Sequence, residues 1–228
     1  MVQILDIGNT FTVAADWDGG RFLNLRRLPA RELENFVPSG PLVAACVCPA
    51  AKKYFPASGT LFISALNQQS KVDFSPVDCS TLGADRVANA IAAAEFHSLP
   101  AAVIDCGTAV TLEVVDSAFR FVGGAIAPGR KLLRKALANG TAQLPNIPLA
   151  GDIPSDIGCN TADAIRFGVD TGIIGTVKEW LQIVKKSYPQ LTVILTGGDA
   201  GFLAPAFPEA IVADEYFTLH GIRIAGGY

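Results

Sequence analysis

Val2-Gln3-Ile4-Leu5-Asp6-Ile7-Gly8-Asn9-Thr10 is a short apolar run that ends in a carboxylate and then turns on a glycine. It recurs in kind as Ala101-Ala102-Val103-Ile104-Asp105-Cys106-Gly107-Thr108, with the two aspartates 99 positions apart. Each run reads as a buried strand. Each is followed by an apparent hairpin: Phe11–Trp17 with the Asp18-Gly19-Gly20 turn in the first case, Ala109–Val115 and Phe119–Ala127 in the second. A repeat of that length is too long for a solenoid and suits two related lobes. The expected division is residues 1–100 and 101–228.

Between and after these heads the chain alternates strand and helix signals. Leu42–Val47 is a buried-strand candidate closed by Pro49. From Ala84 to His97, Val87, Ala90, Ile91 and Ala94 recur at helical spacing, and Pro100 marks a stop. Pro128–Asn139 reads as a helix ending at Asn139-Gly140, and Thr141–Pro154 as a Pro-punctuated loop. Asn160 or Thr161 can cap a long helix running toward Lys186, with Ile165, Val169, Ile173, Ile174, Val177 and Leu181 on its apolar side. Leu191–Leu195 is a strand ending in Thr196-Gly197-Gly198, and Asp199–Leu203 and Phe217–Ile224 read as short helices.

Composition sets the class of partner. Of 228 residues 50% are hydrophobic and 17% charged, which excludes disorder and allows a large core. A net charge of -3, with no basic run longer than a pair, gives no footprint for nucleic acid or an anionic membrane. No stretch of about 18 uninterrupted apolar residues calls for a membrane span, and the N-terminus carries no signal-peptide pattern, so a cytoplasmic location is expected. Five scattered cysteines indicate neither a disulfide framework nor a zinc site; they are expected to stay reduced and pack as small apolar groups. His97 reads as a helix-end residue and His220 as part of a terminal helix, neither as a ligand, and Trp17 and Trp180 read as packing residues.

The loops carry the chemistry. At Asp6–Thr10 a strand delivers a carboxylate to a turn where Gly8 lets backbone N–H groups approach a phosphate, and Asn9 and Thr10 add short polar donors. Asp105–Ala109 offers the same parts. Thr196-Gly197-Gly198-Asp199-Ala200 ends a strand and opens a helix, a place for an anion or a ribose edge. Singly, each is more often an ordinary turn. Together, two Asp-Xaa-Gly hairpin starts and a late Thr-Gly-Gly loop resemble the nucleotide-binding folds of actin, hexokinase and Hsp70 type. No G-x-x-x-x-G-K-[ST] occurs, which disfavours a P-loop kinase. In Leu82–Ala90 an acid and a base adjoin at a helix start; spacing alone leaves open whether Asp85 caps the helix beside a solvated Arg86 or the pair binds a substrate.

The ordered set Asp6–Thr10, Gly83–Arg86, Asp105–Thr111, Gly123–Gly129, Gly158–Ile165 with Gly168, and Thr196–Ala200 closely resembles type III pantothenate kinase, over nearly the whole chain. The resemblance implies an α/β fold of two ribonuclease-H-like lobes of actin/hexokinase type with the active site in the cleft between them. It also implies a homodimer and ATP-dependent phosphorylation of pantothenate to 4'-phosphopantothenate, the first step of coenzyme A biosynthesis. By position it implies Asp85 as general base, with Gly83, Ala84 and Arg86 as substrate-binding companions and Thr161 as a further substrate contact near the dimer interface. It makes Asp6, Ile7, Gly8, Asn9, Thr10, Phe11, Thr12 and Val13 the first ATP loop and Thr108 an ATP contact. Asp105 becomes the ligand of a monovalent cation, potassium or ammonium, and Mg2+ is expected near Asp6.

Two departures stand out. Phe74–Cys79 lacks the Tyr that relatives place about seven residues before the Gly of Gly-Ala-Asp-Arg, and Phe11-Thr12-Val13 offers no basic side chain to the nucleotide. The rival readings are a kinase of another small substrate, such as a sugar or acetate, and a non-catalytic nucleotide-binding regulator of the same fold.

Overall fold

A computed structural model describes residues 1–228. In chain order the elements are β1 (Val2–Ile7), β2 (Phe11–Trp17), β3 (Phe22–Pro29), β4 (Leu42–Cys46), β5 (Thr60–Phe62), α1 (Ala84–Phe96), β6 (Ala101–Cys106), β7 (Ala109–Val115), β8 (Phe121–Pro128), α2 (Arg130–Gly140), α3 (Thr161–Ser187), β9 (Thr192–Thr196), α4 (Ala200–Leu203), β10 (Ile211–Val212) and α5 (Phe217–Ala225). They form two five-stranded sheets, ordered β3-β2-β1-β4-β5 and β10-β9-β6-β7-β8. Counted outward from its own first strand, each sheet follows the same order. The repeat seen at Asp6 and Asp105 is therefore a repeat of architecture.

The chain forms two compact units, one of Met1–Ala101, Glu113–Gly123 and Asp214–Tyr228, the other of Ala102–Leu112 and Gly124–Ala213. In the first, β1 is antiparallel to β2 and parallel to β4. Side chains alternate across a strand, and both faces of β1 are covered. Val2 and Ile4 enter a core with Val87, Ile91, Leu219 and Ile222 of α1 and α5. Leu5 and Ile7 enter a second core under the 3-10 turns Ala30–Asn35 and Pro49–Tyr54, with Leu33, Phe36 and Phe55. That is why the run reads as continuously apolar.

α5 packs against α1 closely enough that a Cβ on Gly221 would collide with the Ala88 carbonyl. The Thr218 hydroxyl lies 2.8 Å from the amide oxygen of buried Asn89. α1 is consequently buried from Val87 to Ala94, including Ala88, Ala92 and Ala93, beyond the stripe its periodicity predicts.

Two element starts differ from the sequence expectation. β8 begins at Phe121 rather than Phe119, because the Asp116 carboxylate closes the turn by accepting from the Ala118 and Arg120 N–H groups, with Phe119 at φ 61°. α2 begins at Arg130, because Gly129 is pressed against the Gly107 and Thr108 carbonyls and serves as its N-cap. The long helix starts where expected, with the Asn160 side chain accepting from the Asp163 N–H at 3.0 Å.

Candidate active site

In the first unit Asp6 ends β1, paired with Val13 and Ala45, on the face that holds Ile4. The turn closes with the Gly8 N–H donating to the Phe11 carbonyl at 3.0 Å. Beside it the Val47 N–H donates to the Ile7 carbonyl at 3.1 Å, and Val47 in turn lies under Gly83 at the start of α1. Val47 thus links the Asp6 loop to Gly83–Arg86.

Gly83 is the N-cap of α1 and makes no side-chain cap bond; Asp85 is inside the first turn, so the reading of Asp85 as the cap is corrected. Its Oδ1 accepts from the Arg86 N–H at 2.7 Å, and a Cβ on Gly83 would sit 2.6 Å from that oxygen. Burial pushes the Asp85 carboxyl above its ordinary range, against the opposing pull of the Arg86 amide and guanidinium. A carboxylate moved up toward the working pH is a better proton acceptor than an ordinary one.

Arg86 is anchored by a residue the sequence reading passed over. Its Nε lies 2.8 Å from Oε1 of Glu113, which is wholly buried. Its guanidinium stands 5.8 Å from the Phe121 ring centroid. Glu113 occupies one edge of a planar fork with five N–H donors. A lone glutamate within Ala109–Val115 was the available signal, since a buried carboxylate needs a partner. Phe121 also meets Phe74 in the core, ring centroids 5.4 Å apart.

Not all of Asp6–Val13 can present side chains. Ile7 and Thr12 are fully buried, while Asn9, Thr10 and Phe11 are exposed. Ala84 is buried in the core, so it has only backbone to offer. The Arg27 guanidinium of β3 lies 4.3 Å from the Phe11 ring centroid.

In the second unit three loops converge. Asp105 ends β6 and Thr108 is exposed in the turn that follows. Gly197, at φ 87°, is pressed so close to Asp105 and Cys106 that any Cβ would collide with the Asp105 carboxylate. The Asp199 N–H donates to the Cys106 carbonyl at 2.8 Å. Gly129 closes the third side against Gly107 and Thr108.

Behind these loops lies a buried charge cluster that the sequence did not reveal. Arg130 holds Asp170 through Nε at 2.9 Å and Nη2 at 3.1 Å, and Arg134 reaches the same carboxylate at 2.7 Å. All three side chains are at most 2% exposed. Thr161 stands exposed in the first turn of α3. A cavity of about 420 Å3 lies at the other end of β9 from the Thr196 loop, between Leu181, Lys185, Leu191 and Phe207, and no candidate residue lines it. No helix is long and apolar enough to cross a membrane.

Two sheets of one repeated order, each opening on an Asp-Xaa-Gly turn, define a two-lobed kinase fold of the actin and hexokinase class. A ROK hexokinase from Thermus thermophilus shares it with a TM-score of 0.51 at 12% identity, over 98% of this chain and 97% of that one. A protein described as a Baf family transcriptional activator from Campylobacter jejuni shares it with a TM-score of 0.68 at 22% identity, over 97% and 95%. Within that class the chain belongs to the type III pantothenate kinase family, whose model matches residues 40–183. A type III pantothenate kinase of Kosmotoga olearia is 32% identical to it over 98% of this chain and 95% of the relative.

Proposed function

We propose that the chain transfers the γ-phosphoryl group of ATP to the primary hydroxyl of pantothenate, giving 4'-phosphopantothenate and ADP, with Asp85 as the general base. The observation that carries this reading is the start of α1. There a carboxylate pushed up by burial adjoins an arginine fixed by buried Glu113, in a chain of this family. Asp85 accepts the hydroxyl proton as the oxygen bonds to phosphorus and the bond to ADP breaks. Arg86, with Gly83 and Ala84 beside it, orients the substrate carboxylate through charge-assisted bonds. Thr161 adds a substrate contact.

The first loop, Asp6–Val13, holds phosphates through its backbone and through Asn9 and Thr10, with Arg27 supplying the nearby positive charge. The turn at Asp105–Thr108 holds the others. An Asp6 carboxylate at a tight turn fits Mg2+, which is commonly held by one or two carboxylates together with substrate phosphates. The Asp105 carboxylate, at the end of β6, is the ligand we assign to potassium or ammonium. Such cations supply charge compensation to a transition state in which the protein mainly positions groups. The chain works as a homodimer, in the cytoplasm where ATP is available.

Asp85→Asn is expected to keep its circular dichroism and unfolding temperature and to lose about 10²–10⁴-fold in kcat in a coupled ADP-release assay. Near-normal turnover in that variant sinks the assignment of the base. Competition between pantothenate and hexoses, with and without potassium, separates this reading from a sugar kinase.

A further inference from the structure

Arg130 is the first residue of α2, at the positive end of a helix whose first turn holds no acidic residue. A buried cation there is opposed by the helix dipole, so other contacts must account for its place. Each of its three guanidinium nitrogens has an acceptor. Nε and Nη2 hold Asp170, Nη2 also donates to the Ala150 carbonyl at 2.7 Å, and Nη1 lies 3.4 Å from Asp199 Oδ1. The Phe202 ring of α4 lies 3.3 Å from the guanidinium carbon.

The charges explain why Asp199 is included. Arg130 and Arg134 share one carboxylate, leaving a buried excess of one positive charge, and unbalanced buried charge is costly. Asp199, 22% exposed, is the second counter-charge. It sits in the Thr196–Asp199 loop, whose Gly197 is wedged against Asp105 and whose Asp199 N–H is tied to Cys106.

The same arginines hold the other flank. The carbonyls of Pro148, Ala150 and Asp152, alternate residues of the loop between α2 and α3, accept from Arg134, Arg130 and Arg166 respectively. Arg130 is the one of the three that also reaches the Thr196–Asp199 loop.

We propose that Arg130 is a positioning residue for the nucleoside triphosphate. It fixes Asp199, and through Asp199 it sets the Thr196–Asp199 loop against Asp105. This rests on the reading of that loop as a nucleotide site. The test measures affinity for a non-hydrolysable ATP analogue by calorimetry, without pantothenate, in wild type, Arg130→Lys, Arg130→Met, Asp199→Asn and Arg130→Met/Asp199→Asn. It also measures KM for each substrate and amide exchange of residues 197–200.

Asp199→Asn and Arg130→Lys should each weaken the analogue and raise KM for ATP about 10- to 100-fold, as small misplacements do. KM for pantothenate should stay within twofold, and exchange at 197–200 should quicken while α3 stays protected. The double variant should be no weaker than its worse single. Asp199→Asn affinity within twofold of wild type overturns the proposal, as do single effects that multiply in the double variant. Asp199 is partly exposed and its substitution leaves Arg130–Asp170–Arg134 in place, so the test stands even if the Met variant does not fold. A wild type that binds the analogue but does not phosphorylate pantothenate would sink the substrate reading alone.

Discussion

At the scale of single residues, the first unit's site depends on a carboxylate that touches no substrate in the proposed reaction. Glu113 fixes Arg86 at 2.8 Å from full burial. Replacing it by Gln keeps the shape and removes the charge. Glu113→Gln is therefore expected to cost about 1.5–3 kcal/mol of stability, the worth of a hydrogen bond to a charged group. It should also raise KM for pantothenate more than KM for ATP; urea unfolding and the two KM values measure both. Asp6 and Asp105 stood out as candidates because each lies two residues before a glycine at the end of an apolar run, and Asp85 through the family resemblance of Gly83–Arg86. Arg27, Arg130 and Asp170 could not be found from sequence, nor could the partner of Glu113, because the paired residues lie 27, 40 or more positions apart or across a strand pair. Spacing along the chain carries no trace of such pairings.

At the scale of elements, the hairpins and long helices were legible because period and turn residues are local properties. The three-residue β5 and two-residue β10 were not, being too short to show a period. Nor did the stripe on α1 foretell that α5 would cover its other side. That contact brings His220 among Trp17, Phe22 and Phe96, where its Nδ1 accepts from Arg223 Nε at 2.9 Å. Burial, and then the Arg223 charge, hold the His220 imidazolium below its ordinary pKa of 6.5, with Asp214 opposing. The neutral ring is thus the folded form. Its contribution to stability is complete above about pH 6.5 and is lost as pH falls from there through the lower folded value. His97, also lowered by burial, adds in the same direction. The unfolding free energy should fall between pH 7 and 5, and His220→Gln should flatten that fall. An unchanged slope in the variant would remove His220 as its cause.

For the whole molecule, the two-sheet fold was legible from two short motifs because duplication repeats its local signals. The membership of the compact units was not, since packing between distant segments leaves no mark at a boundary. Asp214–Tyr228 belongs with the first unit. Phe217, Leu219 and Ile222 are buried there, and full burial of such side chains is worth roughly 1.5–3 kcal/mol each. Their sum rivals the whole 5–15 kcal/mol margin of a typical domain. A chain ending at Ala213 should therefore bind an apolar dye and be cut by protease within residues 84–96, whereas the intact chain resists; equal resistance would contradict this account.

The return of α5 also sets a schedule for synthesis. Residues 102–213, which contain the second unit, leave the ribosome before residue 217 does. At about 5–20 residues per second, the first unit's unfinished apolar face waits on the order of 5–25 seconds after residue 101 is made. A nascent-chain experiment should find the later unit native first, with the earlier one held open and reliant on chaperones until α5 has emerged.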